Sequence, residues 1–287
     1  MAERIAVLSD IHSNFAAFSA CLAKMRTLDI DGVVLLGDTL TDCPYPQKTM
    51  QMIYALAKQY PFWPVPGNRE ELLLQYGQGK IDHEWTYCSQ TGSLLYTFEN
   101  LTPTDFAFFE ELPKTRTLCI GENPPLTLCH GSPRKINEPL KPERLNTHEV
   151  MADLDTEYLL CGHTHRQYMY EYNGKTLINP GSVGTAVNGR TDAQFAVLTS
   201  SKAGWTPEFF GVEYDKTELF TAFESSGLAQ KAPVWAGALQ KLLLTGRNYN
   251  MECAALAAKL SEADGENPRF PPEIYWERAA GILKIQI

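Results

Sequence analysis

The run Arg4-Ile5-Ala6-Val7-Leu8-Ser9-Asp10-Ile11-His12-Ser13-Asn14 decides how the rest of the chain is read. A short apolar stretch, Arg4–Ser9, ends at Asp10, and residues 14–28 follow with apolar side chains at helical spacing. The pattern recurs. Gly32–Leu36 is apolar and ends in Gly37-Asp38, residues 46–59 read as a helix, and Phe62–Pro66 leads to Gly67-Asn68. Asp10 and Asp38 lie 28 positions apart, Asp38 and Asn68 30, and each interval fits one strand–helix–strand unit. Such units imply an α/β fold with a largely parallel sheet. Ligands in these sheets bind beyond the carboxyl ends of the strands. Asp10, Asp38 and Asn68 all stand there.

Further along, residues 69–112 read as mainly helical, a flank or lid, with Pro103 near one helix start. The aromatic side chains of this stretch, among them Tyr76, Trp85, Phe98 and Phe106, are expected to pack a helical flank rather than stack on a base. Strands resume at Thr115–Ile120 and at Leu126–Cys129, which ends at His130. Another, Glu157–Cys161, ends in Gly162-His163-Thr164-His165. Met169–Asn173, Thr176–Ile178, Phe195–Thr199 and Phe209–Tyr214 then read as a more antiparallel series. From Asp215 the character turns helical, around 216–225, 234–245 and 250–263, with a proline-containing break at Asn267–Pro272. The expected organisation is a catalytic domain over 1–214 and a helical extension over 215–287. That extension would pack on the sheet, form a dimer contact or act as a partial lid.

Composition narrows the function. The 287 residues are 44% hydrophobic, enough for a sizeable core, and carry a net charge of −9. That balance argues against a nucleic-acid-binding surface, which needs basic patches. It leaves an anionic substrate open, because bound cations can reverse the local field. No apolar run reaches the roughly 18–20 residues of a bilayer span, so no membrane contact is expected. The opening residues read as a strand and not a signal peptide. The seven cysteines form no C-x-x-C pair, and Cys129 and Cys161 lie in apolar strands as buried thiols. A cytoplasmic location is expected.

Seven potential metal ligands lie at strand ends: Asp10, His12, Asp38, Asn68, His130, His163 and His165. Taken singly, most have ordinary explanations. An Asp after a strand is often a helix cap, and Gly-Asp and Gly-Asn are turn chemistry. His130 alone would be a core histidine. The Gly162-His163-Thr164-His165 run is harder to dismiss, and the ordered set makes a structural explanation improbable. Carboxylate, amide and imidazole donors together suit borderline divalent ions, with manganese the first choice among Mn, Fe, Zn, Ni and Co.

This series, joined by Asn179-Pro180-Gly181-Ser182-Val183-Gly184, resembles the calcineurin-like metallophosphoesterase superfamily, and within it the small prokaryotic phosphodiesterase and diadenosine-polyphosphatase-like branch. The resemblance covers residues 4–214. It implies a sandwich of two β-sheets flanked by helices, with two divalent metal ions. One ion would be held by Asp10, His12, Asp38 and His165, the other by Asp38, Asn68, His130 and His163. Asp38 would bridge them, and a water between the ions would supply the attacking hydroxide. Asp38, Asn68, Arg69 and His130 are the expected catalytic set. Asn14, Arg69 and Arg190 are the expected contacts to a phosphorylated small-molecule substrate, although Asn14 reads equally well as a helix cap and Arg190 as a solvated loop residue.

The sequence departs from the superfamily pattern at Arg69, where many members carry a histidine thought to protonate the leaving group. Arginine stays protonated and cannot act as a general acid, but its planar fork binds phosphate oxygens. Leaving groups of low pKa are then favoured, which points to phosphodiesters or phosphoanhydrides such as dinucleoside polyphosphates. Glu70 or a water is the alternative proton source. Competing readings are a Ser/Thr-type protein phosphatase or phosphomonoesterase and, from another class, a non-catalytic scaffold on the same fold. His83 and His148 read as surface side chains.

Overall fold

The first strand builds two cores at once, because side chains alternate across a strand. In the computed structural model, which describes residues 2–287, the opening run forms β1 (Arg4–Leu8). Its Ile5 and Val7 enter a cluster with Leu126, Leu128, Leu160 and Ile178, which come from a second sheet. Its Ala6 and Leu8 enter a different cluster with Phe18, Met50 and Ile53 from two helices. All four β1 side chains are buried.

The helices of that second cluster are α1 (Phe15–Met25) and α2 (Pro46–Gln59). Asn14 caps α1, its side chain accepting from the Ala17 amide at 3.1 Å, and Pro46 opens α2 where the missing N–H costs nothing. They connect β1 to β2 (Gly32–Leu35) and β2 to β3 (Phe62–Pro64), all parallel. The chain returns much later with β9 (Ala193–Ser201) and β10 (Gly204–Val212), both antiparallel, giving the order β10-β9-β1-β2-β3.

The second sheet has the order β4-β5-β6-β8-β7. Its strands are β4 (Thr115–Leu118), β5 (Leu126–Cys129), β6 (Tyr158–Leu160), β7 (Gln167–Tyr172) and β8 (Lys175–Pro180). Here β5, β6 and β8 are parallel and the two edges antiparallel. A helix not anticipated from sequence, α6 (Leu145–Ala152), contributes Val150 and Met151 to its outer cluster. The result is helix, sheet, sheet, helix. Both sheets are mixed: β1, β2 and β3 are parallel as the N-terminal units imply, β5, β6 and β8 are parallel as well, and β4, β7, β9 and β10 are antiparallel. The late strands add on as antiparallel neighbours because a hairpin needs no crossover.

Residues 69–112 form α3 (Asn68–Gly77), α4 (Gly92–Glu99) and α5 (Pro103–Glu110). Their aromatics pack on one another: Tyr76 stacks on Trp85 at 3.9 Å between centroids and meets Phe98 edge-on at 5.0 Å. Past residue 215 come α7 (Thr217–Ser225), α8 (Leu228–Lys231), α9 (Pro233–Thr245), α10 (Tyr249–Ala263) and α11 (Glu273–Leu283). Helix α11 was also absent from the sequence reading; its Tyr275, Trp276, Ala279 and Ala280 share a core with α9 and α10. Among the described residues, no helix is long and apolar enough to cross a membrane.

Candidate metal centre

Parallel strands end on the same edge of a sheet, and that geometry gathers the site. Asp10 and His12 follow β1, Asp38 follows β2, and Asn68 opens α3 just after β3. His130 follows β5, while His163 and His165 follow β6 in the facing sheet. Backbone hydrogen bonds hold the loops together: the amides of Asp10 and His12 donate to the carbonyls of Gly37 and Asp38 at 3.0 Å, and that of Gly162 to His130 at 2.8 Å. Glycines stand where the loops approach. A Cβ on Gly67 would overlap the Asp38 carboxylate, and one on Gly162 would overlap the Ser9 hydroxyl.

Five of the seven candidate ligands have positive φ: Asp10 at 54°, His12 at 51°, Asp38 at 48°, His163 at 63° and His165 at 53°. Left-handed backbone at non-glycine residues costs on the order of 1–3 kcal/mol each and collects at functional sites. The strain aims the side chains inward.

They form two adjoining groups, Asp10 with His12 and His165, and Asp38 with His130 and His163. In the first, His165 Nε2 lies 3.1 Å from Asp10 Oδ1 and 3.3 Å from His12 Nε2. In the second, His130 Nε2 lies 3.4 Å from Asp38 Oδ2, 3.1 Å from Asn68 Oδ1 and 3.2 Å from His163 Nδ1. Asp38 Oδ2 is also 3.8 Å from His12 Nε2, between the two groups.

The surroundings fix which ring nitrogen is free. His130 Nδ1 donates to the Leu36 carbonyl at 2.7 Å, His165 Nδ1 to the Thr185 carbonyl at 2.8 Å, and His12 Nδ1 to Asp42 Oδ2 at 2.9 Å. Each of these bonds leaves Nε2 as a lone-pair donor facing the cluster, the arrangement in which histidines bind metal. Asp10 Oδ2 accepts from Ser9 Oγ at 2.6 Å and from the His163 amide at 3.1 Å, whereas Asp10 Oδ1 is buried with no hydrogen-bond donor. A buried carboxylate oxygen 3.1 Å from His165 Nε2 and 3.9 Å from His12 Nε2 fits a divalent cation. The Asn179–Gly184 run braces the loops: Asn179 Nδ2 donates to the Gly162 carbonyl at 2.6 Å and Ser182 Oγ to the Asp10 carbonyl at 2.8 Å.

The charges agree with the geometry. Burial alone would raise Asp10 and Asp38, yet the histidines around them, with Arg69 beside Asp38, hold both carboxyls below the usual range. Burial would lower His130, but the Asp38 and Asp10 carboxylates outweigh it and push its pKa up to about 9. His165 is raised too, burial being outweighed mainly by Asp10. Burial and the neighbouring His130 lower His163 to about 4.

Arg69 reaches the site, its guanidinium 3.6 Å from Asp42 Oδ2 and its amide donating to Asp38 Oδ1 at 2.8 Å. Glu70 is spoken for. Its carboxylate accepts from the amides of Gly67 at 2.7 Å, Asp38 at 2.9 Å and Thr39 at 2.8 Å, and so clamps the Asp38 loop. That removes it as a proton source for a leaving group.

Two expected substrate contacts are engaged elsewhere. Asn14 is fully buried, capping α1 and donating to the Gly184 carbonyl at 2.8 Å, so it braces the site from behind. Arg190 forms a two-point ion pair with Asp192 two residues on and does not line the cleft at the ligands. His83 lies beside exposed Asp82, and both histidine and partner are outside the site. His148 is half-buried rather than superficial, bonded to Tyr170 Oη at 2.8 Å and stacked on Tyr172.

A cleft of about 260 Å³ opens at the ligands. Its far wall is not the 69–112 flank, of which only Arg69 contributes, but the C-terminal helices, through Trp235, Leu239, Leu242, Asn250 and Met251. Trp235 Nε1 donates to Asp42 Oδ1 at 2.8 Å. The sequence reading missed both residues. Asp42 stands four positions after Asp38 in a loop rich in turn-formers, and only its spacing from a ligand marked it. Trp235 carries no local signal.

Comparison with known proteins gives the family. The calcineurin-like phosphoesterase superfamily domain matches residues 4–203, and the chain belongs to that family. It is 27% identical over 255 residues to an uncharacterized protein of Methanocaldococcus jannaschii, covering 81% of this chain and 95% of that one. In fold it resembles a hypothetical protein of Pyrococcus horikoshii, with a TM-score of 0.70 and 22% identity over 81% of this chain and 97% of the other. It also resembles a metallophosphoesterase from Sphaerobacter thermophilus, with a TM-score of 0.67 and 23% identity over 86% of this chain and all of the other. The family implies divalent metal ions, and the two ligand groups are where this chain could hold them.

Proposed function

We propose that this protein is a two-metal phosphoesterase hydrolysing phosphodiester or phosphoanhydride bonds, with a dinucleoside polyphosphate or related nucleotide as substrate. The observation that carries the reading is Asp38 Oδ2 lying between the two ligand groups, 3.8 Å from His12 Nε2 of one and 3.4 Å from His130 Nε2 of the other. Bound cations, manganese first, would supply an acidified water nucleophile and neutralise charge on the phosphoryl oxygens. Asp10, His12, Asp38 and His165 would hold one, and Asp38, Asn68, His130 and His163 the other. Arg69 would bind a phosphoryl oxygen through the part of its fork not turned to Asp42.

The preference for good leaving groups rests on the cleft's acid–base inventory. Arg69 cannot release a proton, Glu70 is saturated by amide donors, and Asp42 is an anion held well below the usual carboxylate range, its burial outweighed by Arg69 and His12. The remaining titratable groups are ligand candidates. A departing phosphate needs less help than an alkoxide. A groove continuous with the cleft is lined by Lys141 and Arg166, both exposed, and offers cations to further phosphates of an extended substrate. Seven free cysteines support a reducing, cytoplasmic setting.

The test is a substrate panel with manganese and a metal-free control: bis-nitrophenyl phosphate, dinucleoside polyphosphates, alkyl phosphates and phosphopeptides. Metal-dependent hydrolysis with anhydrides and activated diesters ahead is expected. No turnover on any of them would overturn the reading, and a phosphopeptide preference would redirect it to a protein phosphatase.

A further inference from the structure

The wall opposite the candidate ligands is largely apolar and supplied mainly by the C-terminal helices. Leu239 and Leu242 are nearly buried there, and Trp235 is half-buried between α9 and the Asp42 loop. The Trp235 ring is held at its Nε1, which donates to Asp42 Oδ1 at 2.8 Å, while its backbone carbonyl accepts from Asn250 Nδ2 at 2.9 Å. An indole fixed in this way offers its face to a ligand at little cost in side-chain entropy. Asn250 adds a second feature. The residue is 4% exposed and lines the same cleft, yet its side-chain oxygen has no hydrogen-bond partner. A buried amide oxygen left without a donor is costly, and a ligand N–H would satisfy it.

Resting on the phosphoester reading, we propose that this wall is a binding subsite for a planar nitrogen heterocycle, the base of a nucleotide whose phosphate lies at the candidate metal ligands. Three observations select that occupant. The subsite is continuous with the ligand cluster, since His12, Asp38 and His163 line the same cleft as Trp235 and Asn250, so a substituent on the reacting phosphate extends directly onto it. Its surface combines an aromatic and aliphatic face with one amide edge, which matches a ring that is apolar on its faces and polar on its rim. The remaining edge residue, Met251, is 60% exposed, and its flexible thioether adapts to ring outlines. An aliphatic chain would leave the Asn250 oxygen unpaired, and a bare phosphate would leave the wall uncovered.

The experiment compares two ligands that differ only in the base. Adenosine 5′-monophosphate and ribose 5-phosphate are titrated calorimetrically into the manganese-loaded full-length protein. The nucleotide should bind about 10-fold tighter, the effect of one base resting on an aromatic side chain. Trp235→Leu should bring that ratio close to one. Because both ligands share the phosphate, the ratio cancels any disturbance of the metal centre through Asp42. Met251→Ala, at an exposed position that the fold does not need, should lower the ratio by about 3-fold, in line with loss of one sulfur–aromatic contact. A wild-type ratio near one, or a ratio unchanged in both variants, overturns the subsite and leaves the phosphoester reading standing. Failure of both ligands to bind counts against that reading itself and takes the subsite with it.

Discussion

Asp42→Asn is the substitution that tests how the metal centre is held. The carboxylate is nearly buried and serves four partners: His12 Nδ1 at 2.9 Å and the Thr41 hydroxyl at 3.2 Å on Oδ2, Trp235 Nε1 at 2.8 Å on Oδ1, and Arg69 at 3.6 Å. An asparagine has the same shape but only one accepting oxygen. If that oxygen faces Trp235, the new NH₂ confronts His12 Nδ1–H, and the ring must move its proton to Nε2 or turn away. Either change removes the lone pair that His12 directs at the cluster. If the oxygen faces His12, the indole N–H is left unpaired in a nearly closed site. Both arrangements also take away the anion opposite Arg69.

The loss of one charge-assisted hydrogen bond is worth about 1.5–3 kcal/mol, and outer partners of ligating histidines change metal affinity by about 10- to 100-fold. Asp42→Asn should therefore weaken manganese binding by about that factor, measured by calorimetric titration of the stripped protein. Trp235→Phe deletes only the indole donor and should cost less. Manganese affinity within twofold of wild type in a folded Asp42→Asn protein would refute the claim that Asp42 orients His12.

Other outcomes follow from the same geometry. Asp38→Ala should abolish hydrolysis and lower bound metal, measured by elemental analysis, to half or less of the wild-type content. His163→Ala and His165→Ala should each cripple turnover, whereas His83→Ala should leave it intact; His148→Ala should cost stability through its lost Tyr170 bond and Tyr172 stacking while leaving turnover in place. A chelator should stop activity with the circular dichroism spectrum retained, because the sheets carry their own cores, and Tm should fall as the unfolding free energy loses the linkage contribution of the bound ions, about 2.7 kcal/mol for a ligand present at 100 times its Kd. Arg69→His should raise the ratio of kcat/KM on alkyl over nitrophenyl substrates, since a histidine there restores a proton donor; an unchanged ratio at equal metal content would mean that leaving-group protonation is not controlled at this position.

The parts of this molecule that sequence revealed are those encoded locally. Helix α2 runs over 46–59 as its spacing predicts, and the apolar runs ending at Asp10, Asp38 and His130 are strands whose ends carry the ligand candidates. What sequence hid depends on distant partners. Asp42 reads as turn chemistry until Trp235, 193 positions away, arrives to bond it. Glu70 reads as a candidate acid until its oxygens are seen gathering amides from the Asp38 loop. For Asn14 and Arg190 the local alternatives were legible in the sequence: Asn14 caps α1 at the Ala17 amide, and exposed Arg190 pairs with Asp192 two residues on. Helix α11 was missed because its buried face is composed of alanine and aromatic residues that a period-based reading weighs weakly.

The acidic character of the chain and the anionic substrate proposed for it would be reconciled inside the cleft. Asp10, Asp38, Asp42 and Glu70 are all buried at or beside the site, and Arg69 is the fixed cation among them. Such a cluster is stable only if positive charge is brought to it, because ionised carboxylates in a low-dielectric interior repel one another strongly. The raised pKa values of His130, at about 9, and of His165 express that demand in protons. Two divalent cations would meet it more completely and turn the local field positive where a phosphate has to bind. The loops that hold these groups accept unfavourable φ values to do so, and the helices beyond residue 215 lock one of those loops through Trp235. On this argument the C-terminal helices are part of the candidate site. They hold the electrostatic arrangement in register and form the far side of the substrate cleft.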